Sequence, residues 1–163
     1  MSPSTTSLPP ELPMSPTLNG PVLIIGSGLL GASIGLGLHA AGYEDVYVQD
    51  ISPTAEAVAQ DIGAGTSFSS LTDDQRARFE PQLVVVAAPP DVAGTVCAQA
   101  LRTYGPRPET GYPGATVTDV ASVKVRPLAD VLASGADASR YVGSHPMAGR
   151  EKYGPVAARG ELF

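Results

Sequence analysis

An apolar run that ends in three spaced glycines, Val22-Leu23-Ile24-Ile25-Gly26-Ser27-Gly28-Leu29-Leu30-Gly31, constrains this 163-residue chain more than any other stretch. The spacing is G-x-G-x-x-G, and a small, apolar helical pattern follows it directly. Each glycine has its own task in a strand-turn-helix. Gly26 permits the tight turn, Gly28 lets the backbone come close to a pyrophosphate, and Gly31 lets the helix pack tightly on the strand. The free N–H groups at the helix start, with the helix dipole, favour phosphate charge. The spacing alone is a weak signal in a chain with 18 glycines. Its context carries the weight: a strand before it, a helix after it, and an acidic residue, Asp50, roughly 20 residues beyond at the end of a second strand. The plainer reading is a glycine-rich turn in some other α/β protein. The complete strand-helix-strand context favours a dinucleotide site, with Ser27, Leu29 and Leu30 filling the loop between the glycines.

Asp50 bears on which dinucleotide. A carboxylate at that strand tip accepts hydrogen bonds from both ribose hydroxyls and repels a 2′-phosphate, so NAD is preferred over NADP. No arginine follows Asp50 directly. The competing reading is a charge at a helix N-terminus, but Ser52-Pro53 supplies an N-cap and a first-position proline without it.

Strand and helix signals alternate along the rest of the chain. Helices are predicted over residues 29–41, 54–62, 91–104 and 124–133, and strands over 21–25, 45–50, 66–68, 83–88, 115–119 and 141–143. Residues 73–79 read as a charged surface segment with a helical turn. This alternation gives an α/β fold with a doubly wound parallel sheet, because parallel neighbours need a right-handed crossover. Its site belongs at the C-terminal strand tips. Residues 1–19 are rich in Ser, Thr and Pro and read as a disordered leader, leaving residues 20–163 as the folded domain. They have neither the apolar core of a signal peptide nor the arginines of a transit peptide. The formal charge of −6 argues against general nucleic-acid binding, and no apolar run is long enough to cross a membrane. The single cysteine, Cys97, fits a reducing cytoplasm and reads as a small core residue. His39, near the end of the first helix, reads as a half-exposed histidine favoured by the helix C-terminus.

Three stretches fall at strand tips on the expected functional edge: Ala87-Ala88-Pro89-Pro90, Asp119-Val120-Ala121-Ser122-Val123-Lys124 and Gly143-Ser144-His145-Pro146-Met147-Ala148-Gly149. Ala88 and Pro89 fall where a bound cofactor passes. A histidine beside a nicotinamide can take a hydroxyl proton while hydride leaves the carbon, and an unperturbed pKa near 6.5 suits a general base. His145 is that candidate, with a loop histidine making structural hydrogen bonds as the plain alternative. Ser122 is the candidate for orienting the imidazole or a ligand. Lys124 either pairs with a carboxylate or sits in the first turn of a helix.

The motifs of residues 119–124 and 145–154, with Glu161-Leu162-Phe163, resemble the prephenate dehydrogenase family, and residues 21–163 resemble its nucleotide-binding half. The combination is specific: the glycine loop, a strand ending in A-x-P, D-x-x-S-V-K and H-P-M-A-G-x-E come in that order. The resemblance implies a Rossmann NAD(P)-binding domain, NAD as cofactor, no metal, and NAD-dependent oxidative decarboxylation of prephenate to 4-hydroxyphenylpyruvate in tyrosine synthesis. It implies that His145 helps remove the ring-hydroxyl proton, that Ser122 sits beside it and the nicotinamide, and that Glu151 lies near the mouth of the site, with Lys124 at the rim. Arg150 and Tyr153 stand where smaller residues are common in the family, which bears on that rim. The family carries a second, helical domain that forms a homodimer and supplies the arginine for the substrate carboxylate. With that domain absent from this chain, weak NAD binding and little or no turnover are expected. Arogenate is an alternative substrate, differing in a side chain that the second domain contacts. Two competing readings remain: another NAD(P) reductase built on this domain, and a non-catalytic NAD-binding module.

Overall fold

The structure, a computed structural model, describes residues 18–146 and 154–160. The family-motif residues Met147, Ala148, Gly149, Arg150, Glu151, Lys152, Tyr153, Glu161, Leu162 and Phe163 lie outside that set, as do residues 1–17 of the expected leader.

The first strand, β1 (Val22–Ile25), and the helix after it, α1 (Leu29–Ala40), form around the glycine loop as the sequence predicts. Then come β2 (Val46–Gln49), α2 (Pro53–Asp61), β3 (Thr66–Ser67), the short α3 (Asp73–Ala77), β4 (Leu83–Val86), α4 (Ala93–Thr103), β5 (Thr116–Asp119), α5 (Val125–Ala133) and β6 (Tyr141–Gly143). The six strands form one sheet in the order β3-β2-β1-β4-β5-β6, and every pairing is parallel. The order reverses direction at β1, whose neighbours are β2 and β4, and a crevice opens at such a switch point.

Apolar side chains cover both sheet faces, as continuous apolar strands require. Leu23, Val84, Val86 and Val117 pack with Cys97 and Leu101 of α4 and Val131 of α5. Val22, Ile24, Val46, Val48 and Val85 pack on the other face with Ala32 of α1 and Ala59 of α2. Cys97 is fully buried, and burial pushes its thiol up to about 12, so it is the inert core residue expected. His39 is half-buried, and its Nδ1 lies 2.7 Å from the Gly63 carbonyl.

Residues 73–79 differ from the sequence reading at one end. Phe79 is only 8 % exposed and is no surface residue. It meets Tyr47, Phe68 and Tyr104 edge-on, with ring centroids 4.9, 5.1 and 6.2 Å away. Such pairs are each worth about 0.5–1.5 kcal/mol beyond burial. The charged residues ahead of it form α3, opened by a Thr72–Gln75 capping box, so the segment is a polar surface helix with one aromatic anchor after it.

Arg140 fastens the β6 side of the sheet. Its guanidinium donates to the carbonyls of Leu101, Tyr104 and Ala115, at 2.6, 3.2 and 2.9 Å. It thereby satisfies the end of α4 and ties it to the start of β5.

Candidate functional site

The C-terminal ends of β1, β2 and β4 enclose an open cleft of about 1220 Å³. Its floor is the glycine loop. Gly26 has φ +101°, and a Cβ there would stand 2.5 Å from the Ala87 carbonyl oxygen. At Gly31 a Cβ would fall 1.8 Å from the Gly26 carbonyl oxygen, so α1 reaches the loop only because this residue has no side chain. Around Gly28 nothing lies within 4 Å of the same added atom. That open face, above the N-terminus of α1, is where backbone N–H groups can take a pyrophosphate.

Asp50 stands at the tip of β2 and lines the cleft. Its Oδ2 accepts from the Ser27 backbone N–H at 2.7 Å and the Ser27 hydroxyl at 2.8 Å, and its Oδ1 accepts from the Ser52 N–H at 2.9 Å. Burial alone would raise its pKa, but these hydrogen bonds prevail and hold it below the usual carboxylate range. Ser52 caps α2 through its hydroxyl, which accepts from the Ala55 N–H at 3.3 Å, so Asp50 is not needed as the cap. Behind it lies Glu56, only 2 % exposed. Its carboxylate accepts from the Asp50 N–H, the Ser67 hydroxyl, and both the N–H and hydroxyl of Ser69. Burial opposes ionisation of Glu56, and the donors again win, lowering its pKa. A buried, fully satisfied anion thus fixes the backbone from which the Asp50 carboxylate projects.

Of the residues expected at the cofactor, Gly26, Gly28, Leu29, Leu30, Asp50, Ala88 and Pro89 line the cleft. Ser27 is fully buried and spends both its donors on Asp50, joining the loop to β2 instead of facing the cleft. Gly31 is buried beneath the loop as a packing residue. The side walls escape sequence reasoning: Ile51, Phe68, Val92, Val96 and Tyr104 give the cleft an apolar lining, and Arg76 and Arg107 border it. Ile51 is fully exposed and Val92 partly so, and that is the one signal available, apolar residues next to predicted strand and helix ends.

Ser122 and His145 do not line this cleft; both are exposed. They follow the tips of β5 and β6, the next two strands beyond β4, at matching heights: Val86 pairs with Asp119, and Asp119 with Gly143. Lys124, expected at the rim, precedes α5 and carries its ammonium to two acceptors, Asp119 Oδ1 and the Ser144 carbonyl. Asp119 is fully buried and also accepts from the Ala121 N–H at 2.9 Å and the Tyr141 hydroxyl at 2.5 Å. Burial first, then the hydrogen bond to Asp119 and its charge, push the Tyr141 phenol above its usual range, so it remains a donor.

A parallel sheet with this strand order, a glycine loop at the switch point and an acidic residue at the tip of β2 define a Rossmann dinucleotide-binding domain. The particular family follows from the comparisons. The family profile described as "Prephenate dehydrogenase, nucleotide-binding domain" matches residues 34–163, and the chain belongs to that family. It is 38 % identical over 141 residues to "Probable prephenate dehydrogenase NovF" of Streptomyces niveus, covering 86 % of this chain and 34 % of that protein. It is 33 % identical over 144 residues to "Prephenate dehydrogenase" of Lactococcus lactis, covering 87 % of this chain and 38 % of that one. Among solved structures, prephenate dehydrogenase from A. aeolicus "in complex with hydroxyphenyl propionate and NAD+" superposes with a TM-score of 0.71 at 27 % identity, covering 92 % of this chain and 49 % of that one. The chain thus spans about a third of the curated relatives and half of the solved one.

Proposed function

We propose that this chain is the NAD-binding half of an enzyme that oxidises prephenate to 4-hydroxyphenylpyruvate with loss of carbon dioxide. The observation that carries the reading is the continuous functional edge: the cleft runs from Asp50 over Gly26 and Gly28 to Ala88 and Pro89, and Ser122 and His145 follow on the next two strand tips. The residues present fit the cofactor. Gly28 leaves its backbone open to a pyrophosphate, and Asp50 offers an ionised acceptor at the ribose position.

When bound, NAD supplies the acceptor for the hydride that leaves the ring carbon bearing the hydroxyl. This chain's residues do the rest of the work assigned to it. The loop N–H groups would hold the pyrophosphate, Asp50 would take the ribose hydroxyls, and Ile51 and Val92 would offer the nucleotide apolar walls. The His145 imidazole accepts the hydroxyl proton as the carbon–oxygen double bond forms, and Ser122 orients imidazole or ligand. Breaking the bond to the ring carboxylate then releases carbon dioxide, and its electron pair passes through the ring to the carbonyl oxygen. That oxygen takes back a proton to become the phenol, so much of the driving force lies in the substrate, and the protein's share is position and proton transfer. Glu151, outside the described residues, is assigned to the mouth of the site by the family resemblance alone. The full-length enzyme is a cytoplasmic homodimer acting on a small molecule, with neither a nucleic-acid nor a membrane partner. The lone buried cysteine agrees with a reducing compartment, and among the described residues no helix is long and apolar enough to cross a membrane.

Calorimetry on the 163-residue chain tests the cofactor assignment. NAD+ is expected to bind more tightly than NADP+ by about tenfold or more, because a 2′-phosphate would face the Asp50 carboxylate. Asp50→Ala narrows that gap. It also weakens NAD+, since the Ser27 N–H loses its acceptor. NADP+ binding as tightly as NAD+ to the unaltered chain overturns the assignment.

A further inference from the structure

The stretch from Asp119 to Lys124 and the tip of β6 are joined by a polar knot that neither cofactor binding nor proton transfer uses directly. Lys124 leaves the start of α5 and lays its aliphatic stem over Gly143, where an added Cβ would meet Lys124 Cδ at 3.4 Å and the Tyr141 hydroxyl at 3.3 Å. Glycine at that position keeps the path open. The ammonium then reaches Asp119 Oδ1 and the Ser144 carbonyl together. Asp119 returns the hold from its own backbone: its carbonyl accepts from the Ser144 N–H at 3.0 Å and the Ser144 hydroxyl at 2.7 Å. Every polar group of Ser144 is therefore tied down, and the next residue is His145.

We propose that Lys124 is a positioning residue for His145: its ammonium, seated on the buried Asp119 carboxylate, clamps the Ser144 carbonyl and so fixes the peptide plane from which the imidazole projects. The proposal rests on the reading of His145 as the proton acceptor. Asp119 is the pivot of the clamp. It is 0 % exposed, and a buried charge persists only when paired and hydrogen-bonded. Lys124 supplies the opposite charge, Tyr141 and the Ala121 N–H supply the remaining donors, and the Cys97 thiol nearby stays neutral. The ammonium carries three N–H donors, so it serves Asp119 Oδ1 and the Ser144 carbonyl at once, and the buried carboxylate holds it where that carbonyl can accept. The clamp is thus held by electrostatics at the C-terminal tips of β5 and β6, while the histidine it aims remains exposed.

The test uses the fact that the chain has only two histidines. His39, on α1 against Gly63, is an internal control for NMR of the 163-residue chain. Lys124→Met is expected to lower the hydrogen-exchange protection of the Ser144 amide by about tenfold or more and to shift the His145 ring signals, leaving those of His39 in place. NAD+ affinity stays within about twofold, because Lys124 does not line the cleft. In a form of the protein that turns prephenate over, kcat falls by about ten- to a hundredfold with the KM for NAD+ unchanged, and Lys124→Arg restores most of it. Asp119→Asn/Lys124→Met removes both charges together, so it remains folded if Lys124→Met alone does not. The proposal requires that this neutral pair recover the melting temperature but not the Ser144 protection or kcat. Recovery of all three would reduce Lys124 to a stabilising role and overturn the proposal, as would unaltered Ser144 and His145 signals in folded Lys124→Met. Full turnover by His145→Asn would instead defeat the proposed function, leaving the NMR result on the clamp to stand or fall separately.

Discussion

Gly31→Ala is expected to cost this chain about 3 kcal/mol of stability or more and to weaken NAD+ by about ten- to a hundredfold. The methyl group would sit 1.8 Å from the Gly26 carbonyl oxygen and 3.2 Å from Ala87 Cβ. Both neighbours are fixed, the first as loop backbone and the second beyond the end of a buried strand, so α1 must withdraw from the sheet. Two consequences follow from one displacement. Packing between α1 and β1 loosens, and the N–H groups at the helix start move away from the pyrophosphate, losing charge-assisted hydrogen bonds worth about 1.5–3 kcal/mol each. Gly28→Ala separates the two effects. Its methyl meets no protein atom within 4 Å, so the chain should melt as the unaltered one does. NAD+ should still bind more weakly, because that space is where the pyrophosphate approaches. Thermal melts and calorimetry on the two variants check both halves. A Gly31→Ala chain with unaltered melting temperature and affinity would show that the helix does not depend on this close approach.

The other large effect concerns chemistry. In a form of the protein that oxidises prephenate, His145→Asn is expected to reduce kcat by about 10²- to 10⁴-fold, the usual worth of a positioned proton acceptor. NAD+ affinity should be nearly unchanged, because His145 does not line the cleft. Asparagine keeps a polar side chain at the strand tip but cannot take a proton near neutral pH. The loss should therefore appear in kcat and kcat/KM together, the pattern of an interaction made only in the transition state. A fall confined to the KM for prephenate would make His145 a binding residue and move the proton acceptor elsewhere. If His145→Asn turned over at the unaltered rate, proton removal by this side chain would be ruled out.

The backbone plan can be read from local signals because its determinants are local. β1, the glycine loop and α1 are contiguous, and their spacing alone sets the turn and the close packing seen at Gly26 and Gly31. Alternating strands and helices, with the handedness rule, lead to the observed sheet. The position of Asp50 follows from the same pattern, and Ser52 takes the helix cap as expected. What the chain order hides are groups that meet only when distant segments fold together. Phe79 follows a five-residue helix, too short for an amphipathic period to declare itself, and its partners Tyr47 and Tyr104 are far away in sequence. Ser27 occupies an unspecified position of the glycine pattern, and nothing local signals that its hydroxyl will turn to Asp50. Arg140 finds its three carbonyls on α4 and ahead of β5. Lys124 reads in sequence as either an ion-pair partner or a helix-start residue. The structure shows both at once, since the start of α5 lies above the β5 tip that carries Asp119.

On the proposed reading NAD would be held by Asp50 and the glycine loop at one end and would reach toward the tips of β5 and β6, which carry Ser122 and His145, at the other. An NAD+ titration of the isotope-labelled chain, followed by NMR, tests that placement most directly. The amides of Gly26, Gly28, Asp50 and Ala88 are expected to shift together with those of Ser122 and His145, and AMP to move only the first three. Shifts that stop at the Asp50 end and leave Ser122 and His145 unmoved under saturating NAD+ would contradict it.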